Sequence, residues 1–293
     1  MRTDYAYYPG CLLRGTGAEF ADSLEAVFGH LGLRLEELPD WNCCGATSGH
    51  AIKPRATLAL GMRNLSQAAE MARPVVVPCA VCYHNLRAAR LAAAKGDPEL
   101  AAASMPMAPG KLAAVEVVHP LEVLTSPEAL EAVGSRVTTP LEGLRVASYY
   151  GCLLSRPPAA VRFDDTENPT RMDRLVAALG AQPVDWSWKV ECCGGSLGVS
   201  ATPAAIDLVS RILSGAEDAG ANAIAVACPL CQANLDLRQF EVAGKLRRKV
   251  EVPVFYFTEL MAIAFDLPKA EKWLKKHVTT PFPLVDSLLD EDE

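Results

Sequence analysis

Ten cysteines carry the chemistry open to this sequence, and none of them stands alone. Cys11, Cys43, Cys44, Cys79 and Cys82 form one set, and Cys152, Cys192, Cys193, Cys228 and Cys231 form a second. In each set a single cysteine is followed by an adjacent pair and then by C-x-x-C. Thiolates are soft ligands that select zinc, copper(I) or iron–sulfur centres. A structural zinc takes four ligands in a tetrahedron, and an ordinary iron–sulfur cubane also takes four cysteines. Five thiols exceed either need, and the adjacent sulfurs of a Cys-Cys pair do not easily reach opposite corners of one small tetrahedron. The pattern therefore points to a larger centre, such as a cluster in which a thiolate bridges two irons. Structural zinc, in one half or in both, and buried core thiols are the competing readings. Core thiols have no reason to recur at matched spacing.

The two sets are copies of one pattern. Tyr7-Tyr8-Pro9-Gly10-Cys11-Leu12-Leu13 returns as Tyr149-Tyr150-Gly151-Cys152-Leu153-Leu154. Trp41-Asn42-Cys43-Cys44-Gly45 returns as Val190-Glu191-Cys192-Cys193-Gly194, and the stretch Pro78–Leu86 returns as Ala227–Leu235. The last two blocks are offset by 149 residues and the first by 141, so the second half holds eight extra residues. The polar stretch Asp164–Thr170 is their expected place. Three blocks in one order, using every cysteine, imply duplication. The Pro-, Thr- and Gly-rich stretch Thr125–Gly143 separates the copies, giving expected domains at residues 1–135 and 136–293.

The elements that must position these thiols alternate between strand and helix. Strand candidates Asp4–Tyr8, Arg34–Leu38 and Val75–Pro78 are interleaved with helices over Gly17–Gly32, Pro54–Ala72 and His84–Ala94. In the first helix Phe20, Leu24, Val27, Phe28 and Leu31 recur at helical spacing. The second half repeats the plan with strands at Arg145–Tyr150, Gln182–Asp185 and Ala223–Ala227. Its helices are expected at Thr170–Leu179, Pro203–Gly215 and near Gln232. This predicts an α/β protein of two Rossmann-like βαβ halves, each with a short parallel sheet. The cysteine blocks are separated by 31 and 34 residues in the first half and by 39 and 34 in the second. A right-handed βαβ crossover takes roughly 30 residues. Each gap is then one crossover, and each block returns to the carboxyl ends of the strands, where open α/β sheets bind ligands. The helices that follow offer N-termini that favour thiolates and an anionic cluster.

The remaining composition narrows the partners. The 293 residues are 50% hydrophobic and 22% charged, enough for two cores without disulfide staples. A net charge of −7 without basic runs argues against nucleic acid or an anionic membrane surface as the main partner. The opening MRTDYAYYPG lacks the charged and apolar regions of a secretory signal. No stretch approaches the roughly 20 apolar residues of a membrane span. A soluble, cytoplasmic protein is expected, in a compartment that keeps thiols reduced.

On these residues the chain resembles the cysteine-rich CCG domain family: a lone cysteine, a Cys-Cys-Gly about one crossover later, and a C-x-x-C after a similar interval. Two complete copies, with Tyr7-Tyr8-Pro9-Gly10-Cys11 and Trp41-Asn42-Cys43-Cys44-Gly45-Ala46-Thr47, are most similar to the family of heterodisulfide reductase B subunits. The resemblance implies two noncubane 4Fe–4S clusters, one on each five-cysteine set. It implies an oxidoreductase acting on sulfur groups, with a disulfide split between the clusters. The family substrate is the mixed disulfide of coenzyme M and coenzyme B. Implied partners are the iron–sulfur C subunit and the flavin A subunit of a heterodisulfide-reductase-type complex. CCG domains also occur in proteins similar to succinate, lactate or glycolate oxidoreductase subunits and in sulfur-oxidising complexes. An electron-transfer subunit of such an enzyme is the alternative. The sequence has no C-x2-C-x2-C-x3-C run and no GxGxxG fingerprint, so electrons are expected to arrive from elsewhere in the complex.

Other residues have plainer readings beside functional ones. Asn85 and Asn234, after each C-x-x-C, either donate to cluster sulfurs or cap a helix. His84, with Ala233 at its repeat position, is a candidate proton donor to a product thiolate, or else a surface or capping histidine. His50 and His119 are fainter candidates. Lys189 either attracts an anionic substrate or is simply solvated. Gly45, Gly194 and Gly195 are expected to let backbone approach the cluster. Trp186 and Trp188 read as core or subunit-contact residues, and the acidic tail Asp286–Glu293 is expected to fray.

Overall fold

The computed structural model describes residues 2–96, 100 and 107–289, with only the backbone of Thr47, Ser48, His50 and Leu289. Each half builds one four-stranded, wholly parallel sheet with helices around it, the α/β architecture expected from the sequence. The first sheet contains β1 (Asp4–Tyr7), β2 (Arg34–Glu37), β3 (Val75–Val76) and β4 (Val117–Val118) in the order β2-β1-β3-β4. The second repeats it as β6-β5-β7-β8, from β5 (Arg145–Tyr149), β6 (Gln182–Pro183), β7 (Ala223–Val226) and β8 (Val254–Tyr256). The central strands β1, β3, β5 and β7 are almost wholly buried, as strands covered on both faces must be, so they show apolar runs rather than alternation. Tyr7 lies opposite Glu37 and Val76, and Tyr149 lies opposite Val226. The strands thus end nearly level, and the loops that leave them emerge side by side.

Helices α1 (Gly10–Leu13), α2 (Ala18–His30), α3 (Ala46–Ile52), α4 (Pro54–Met71) and α5 (Ala80–Lys95) connect the first-half strands. In α2, Phe20, Leu24, Val27 and Phe28 turn inward as their spacing predicts. Proline opens α4 in its first turn, where its missing N–H costs no helical bond. Helix α5 starts four residues ahead of the expected His84. Cys79 is its N-cap residue and Cys82 sits in its first turn. The helix Pro229–Leu237 is built alike, with Cys228 at the N-cap. The C-x-x-C is therefore a helix start, not a loop that precedes one.

Three further expectations change. Each sheet has a fourth strand, β4 or β8, only two or three residues long and too short to show a period in sequence. The strand expected at Gln182–Asp185 shrinks to Gln182–Pro183, because proline cannot donate to a ladder and confines the run to the sheet edge. The acidic tail is helical over Phe282–Leu289 with Val285 buried, and residues 290–293 lie outside the described residues. Helix Pro127–Arg136 occupies the expected separator and packs on the second-half helix Arg171–Ala178.

One hydrophobic core runs through both halves. Tyr256 stacks on Phe20 with centroids 4.4 Å apart, and the Ser23 and Thr258 hydroxyls meet at 2.7 Å. The connection from residue 156 to 170, where the second half is longer, also reaches across. Tyr83 donates to the Val161 carbonyl at 3.3 Å and Arg87 to that of Ala160 at 3.1 Å. Phe163 is buried edge-on to Tyr83, His119 and Tyr150. Asp164, on the same connection, accepts from Thr170 and Arg171 N–H and so holds the start of the following helix.

Candidate metal centre

All ten cysteines are free thiols at the carboxyl edges of the two sheets. In the first half the Cys44 and Cys82 sulfurs lie 3.3 Å apart and those of Cys11 and Cys43 3.9 Å. In the second, Cys193 and Cys231 are 3.6 Å apart. All five second-half cysteines line or border one cavity of about 160 Å³, together with Tyr150, Leu153, Leu230 and, from the first half, Ala80 and Val81. Larger hollows of about 480 and 540 Å³ open at the amino ends of the strands and contain no cysteine. Among the described residues, no three Cys, His, Asp or Glu side chains converge on a point that could hold one ion.

Matched supports hold the thiols in both halves. Tyr8 and Tyr149, each three residues before the lone cysteine, reach across to the Cys-Cys loop. Tyr8 donates to the Asn42 carbonyl at 2.8 Å and Tyr149 to the Glu191 carbonyl at 2.6 Å, in each case the residue before the pair. The Asn85 amide donates to the Cys44 carbonyl at 3.1 Å and lies 3.5 Å from the Cys44 sulfur; Asn234 donates to the Cys193 carbonyl. Both asparagines sit within their helices, so neither is an N-cap. Gly10 and Gly151 have φ near +70°, and a Cβ there would come within 2.9 Å of Cys82 Sγ or 3.1 Å of Cys231 Sγ. A side chain at either position would occupy space that the sulfur uses.

Hydrogen bonds sort the thiols into donors and acceptors. Cys43 and Cys82, with the Ala46 N–H and the Asn85 amide, hold the Cys44 pKa down to about 3. Cys152 and the Gly194 N–H, 3.3 Å from the sulfur, bring Cys192 down to about 6. Cys228 is lowered by Cys231 and Cys79 and by the N–H groups of Cys231 and Leu230 at its helix start. The donors Cys43, Cys79, Cys82, Cys152 and Cys231 are raised in turn. The two sets approach one another at their C-x-x-C turns, where Ala80 and Val81 of the first line the cavity of the second. Metal ligation needs thiolates, and both sets already stabilise one.

Two segments of the chain, residues 5–87 and 146–236, match the model of the CCG cysteine-rich domain family. The chain is 33% identical over 281 residues to the 8-methylmenaquinol:fumarate reductase membrane anchor subunit of Wolinella succinogenes, covering 95% of this chain and 98% of that one. It is 31% identical to the B subunit of the ferredoxin/F(420)H(2)-dependent CoB-CoM heterodisulfide reductase of Methanosarcina acetivorans, over 92% of each chain. It is 32% identical to the B subunit of the ferredoxin:CoB-CoM heterodisulfide reductase of Methanosarcina mazei, over 87% of each. The chain belongs to the tandem CCG-domain family of heterodisulfide reductase B subunits. A crystal structure of a hypothetical protein from Helicobacter pylori shares the fold, with a TM-score of 0.73 at 13% identity, over 96% of this chain and 52% of that one. Ten soft thiols in two sets suit iron–sulfur clusters, and with the family they make this chain an iron–sulfur electron-transfer subunit.

Within this CCG chain the lesser candidates have definite places. His84 is buried inside α5, so it is neither a surface nor a capping residue. Lys189 is also buried. Its ammonium lies 3.2 Å from Asp173 and 3.4 Å from the Pro169 carbonyl, and its own carbonyl accepts from Tyr150 and Gly151 N–H. Its charge is directed at Asp173 rather than at solvent. Trp186 is a core residue that donates to the Ser148 carbonyl and packs against Tyr149, while the half-buried Trp188 lies against Gly215 at the edge of the core. Gly195 lies close to Leu230 and the Cys193 sulfur, and Gly45 and Gly194 take left-handed turns after each Cys-Cys pair. The His50 side chain lies outside the described residues. Tyr8, Tyr149, Gly10 and Gly151 were absent from the expected site. Their signal was the repeat itself, which keeps tyrosine and glycine at fixed distance from the lone cysteine.

Among the described residues no helix is long and apolar enough to cross a membrane.

Proposed function

We propose that this chain is the iron–sulfur subunit of a heterodisulfide-reductase-type complex in the cytoplasm, and that it reduces a disulfide to two thiols. One cluster is held by Cys11, Cys43, Cys44, Cys79 and Cys82, and the other by Cys152, Cys192, Cys193, Cys228 and Cys231, in halves at 1–135 and 136–293. The observation that carries the reading is the closeness of the two sets: the cavity of the second set is walled by Ala80 and Val81, from the C-x-x-C of the first. Cleaving one S–S bond takes two electrons and two protons. Noncubane 4Fe–4S clusters held by these two sets would supply the two electrons. The chain's own residues bind and orient: Tyr8 and Tyr149 fix the Cys-Cys loops, and Gly10 and Gly151 leave room for the C-x-x-C sulfurs. Partners are a flavin protein and a ferredoxin-like protein of the same complex, which bring the electrons. The substrate class is a mixed disulfide of small thiols.

A second reading is favoured by the 33% identity to the fumarate reductase subunit: the chain passes electrons within a complex whose other members bind the substrate. One experiment separates them. The purified chain is assayed for iron and acid-labile sulfide, reduced, and titrated with disulfides while the cluster spectra are followed. Reoxidation with release of two thiols supports the first reading. Clusters that ignore every disulfide, yet exchange electrons with a flavin protein, support the second. A zinc content without iron ends both.

A further inference from the structure

The His119 ring breaks the repeat at a buried point between the halves. Its Nε2 lies 2.8 Å from the Pro78 carbonyl and 3.2 Å from the Ala227 carbonyl. These carbonyls are equivalents in the two halves, 149 residues apart, and each immediately precedes the first cysteine of a C-x-x-C. A ring nitrogen bonded to both of these carbonyls stands where the two C-x-x-C turns meet. Its other nitrogen, Nδ1, accepts the Leu121 N–H at 3.2 Å, which leaves Nε2 as the N–H donor shared by both carbonyls. The residue is fully buried, edge-on to Tyr83 and Phe163, and its own N–H is held by Glu122 in a capping box.

The second half has the same construction without the histidine. After β8, Tyr256 is the N-cap residue of the next helix and its N–H is held by Glu259 as that of His119 is held by Glu122, so Tyr256 occupies the position of His119. Its ring turns away to stack on Phe20. One histidine thus serves both turns, and the equivalent position in the second half holds a tyrosine that packs elsewhere.

We propose that His119 is a positioning residue that ties the two C-x-x-C turns together and sets the spacing of the two clusters. The proposal rests on the reading of both cysteine sets as cluster sites. The two carbonyls immediately precede Cys79 and Cys228, one from each set, so a shift of either carbonyl moves a ligand sulfur of its own cluster relative to the other cluster. His119 touches no sulfur itself and acts through the backbone of both turns.

The test compares His119→Phe, which keeps a ring of similar size but removes the donor, with His119→Gln, whose amide N–H can still reach the carbonyls. Two readouts are taken on the full chain. The first is hydrogen exchange of the backbone, which needs no particular metal. Losing a shared bond between two buried carbonyls should speed exchange about tenfold in both turns, 77–83 and 226–232, in His119→Phe, and Gln should restore it. Faster exchange confined to residues 117–125 would overturn the proposal. The second is the magnetic interaction between the clusters in the electron paramagnetic resonance spectrum. At full iron content, His119→Phe should change that interaction and His119→Gln should not. An unchanged spectrum in His119→Phe with full iron would also overturn it. If His119→Phe does not fold, His119→Gln decides alone: wild-type exchange and spectrum support the proposal, and loss of both refutes it. A wild-type chain without iron would sink the cluster reading, while the exchange experiment would still judge the tie between the turns.

Discussion

The two halves share one scaffold and differ in how they enclose their thiols. Both have the 2-1-3-4 strand order, a tyrosine locking the Cys-Cys loop, an asparagine on the second cysteine of the pair and a glycine beneath a C-x-x-C sulfur. Yet Cys11 and Cys43 are exposed, whereas Cys152 and Cys192 are only partly so, and the second-half thiols surround a defined cavity. The extra chain at 156–170 buries Val161 and Phe163 between the halves. Duplication thus conserved what grips the sulfurs, and the longer connection altered the half that covers them. The first set is the more open to an incoming partner or substrate, and the second is the more enclosed.

The comparison breaks most visibly at the sulfurs. Cys44→Ala and Cys193→Ala remove equivalent thiols, so under the proposed function each variant should lose about half of the iron and sulfide, measured against protein concentration, while the other half keeps its centre. Loss of all iron from either variant would mean that the halves share one centre. Next in size is Phe163→Ala, which opens a void between the halves. A destabilisation of about 3–5 kcal/mol is expected in chemical denaturation, with both halves unfolding together. Two separate transitions would show that the 156–170 connection does not couple them.

A smaller, symmetric effect is expected at the loop locks. Tyr8→Phe and Tyr149→Phe each remove one hydroxyl bond and leave the ring, costing about 1 kcal/mol apiece. A markedly unequal pair would show that the two loops are not gripped alike. The smallest effect concerns the capping-box glutamates. Glu122 accepts from the His119 N–H, and Glu259 holds His277 at 3.1 Å, in a buried pair facing Asp236, Glu19 and Lys276. Burial alone would lower the His277 pKa, but the Glu259 hydrogen bond and the surrounding carboxylates raise it overall. A raised histidine stabilises the fold fully below its unfolded pKa and less as pH rises through the folded one. The melting temperature should therefore fall above the ordinary imidazole range, and His277→Gln should flatten that slope. An unchanged slope would remove His277 from the account.

Much of the site was legible because duplication writes it twice. The ten cysteines, Asn85 and Asn234 announced themselves by recurring in order, and the crossover-length gaps placed every block at one sheet edge. The edge strands β4 and β8 were not legible, since two or three residues carry no period. The burial of His84 and the capture of Lys189 by Asp173 were hidden as well, because both depend on which helix faces cover them.

By itself the sequence determined which atoms are available to bind metal and to which rim they return, because covalent spacing and strand–helix alternation are local properties of the chain. Only the tertiary structure decided how the halves face one another. That set Ala80 and Val81 into the wall of the second cavity, turned the longer connection into a clamp and put His119 between two equivalent carbonyls. Such relations join residues far apart in the chain, and packing rather than spacing brings them within bonding distance.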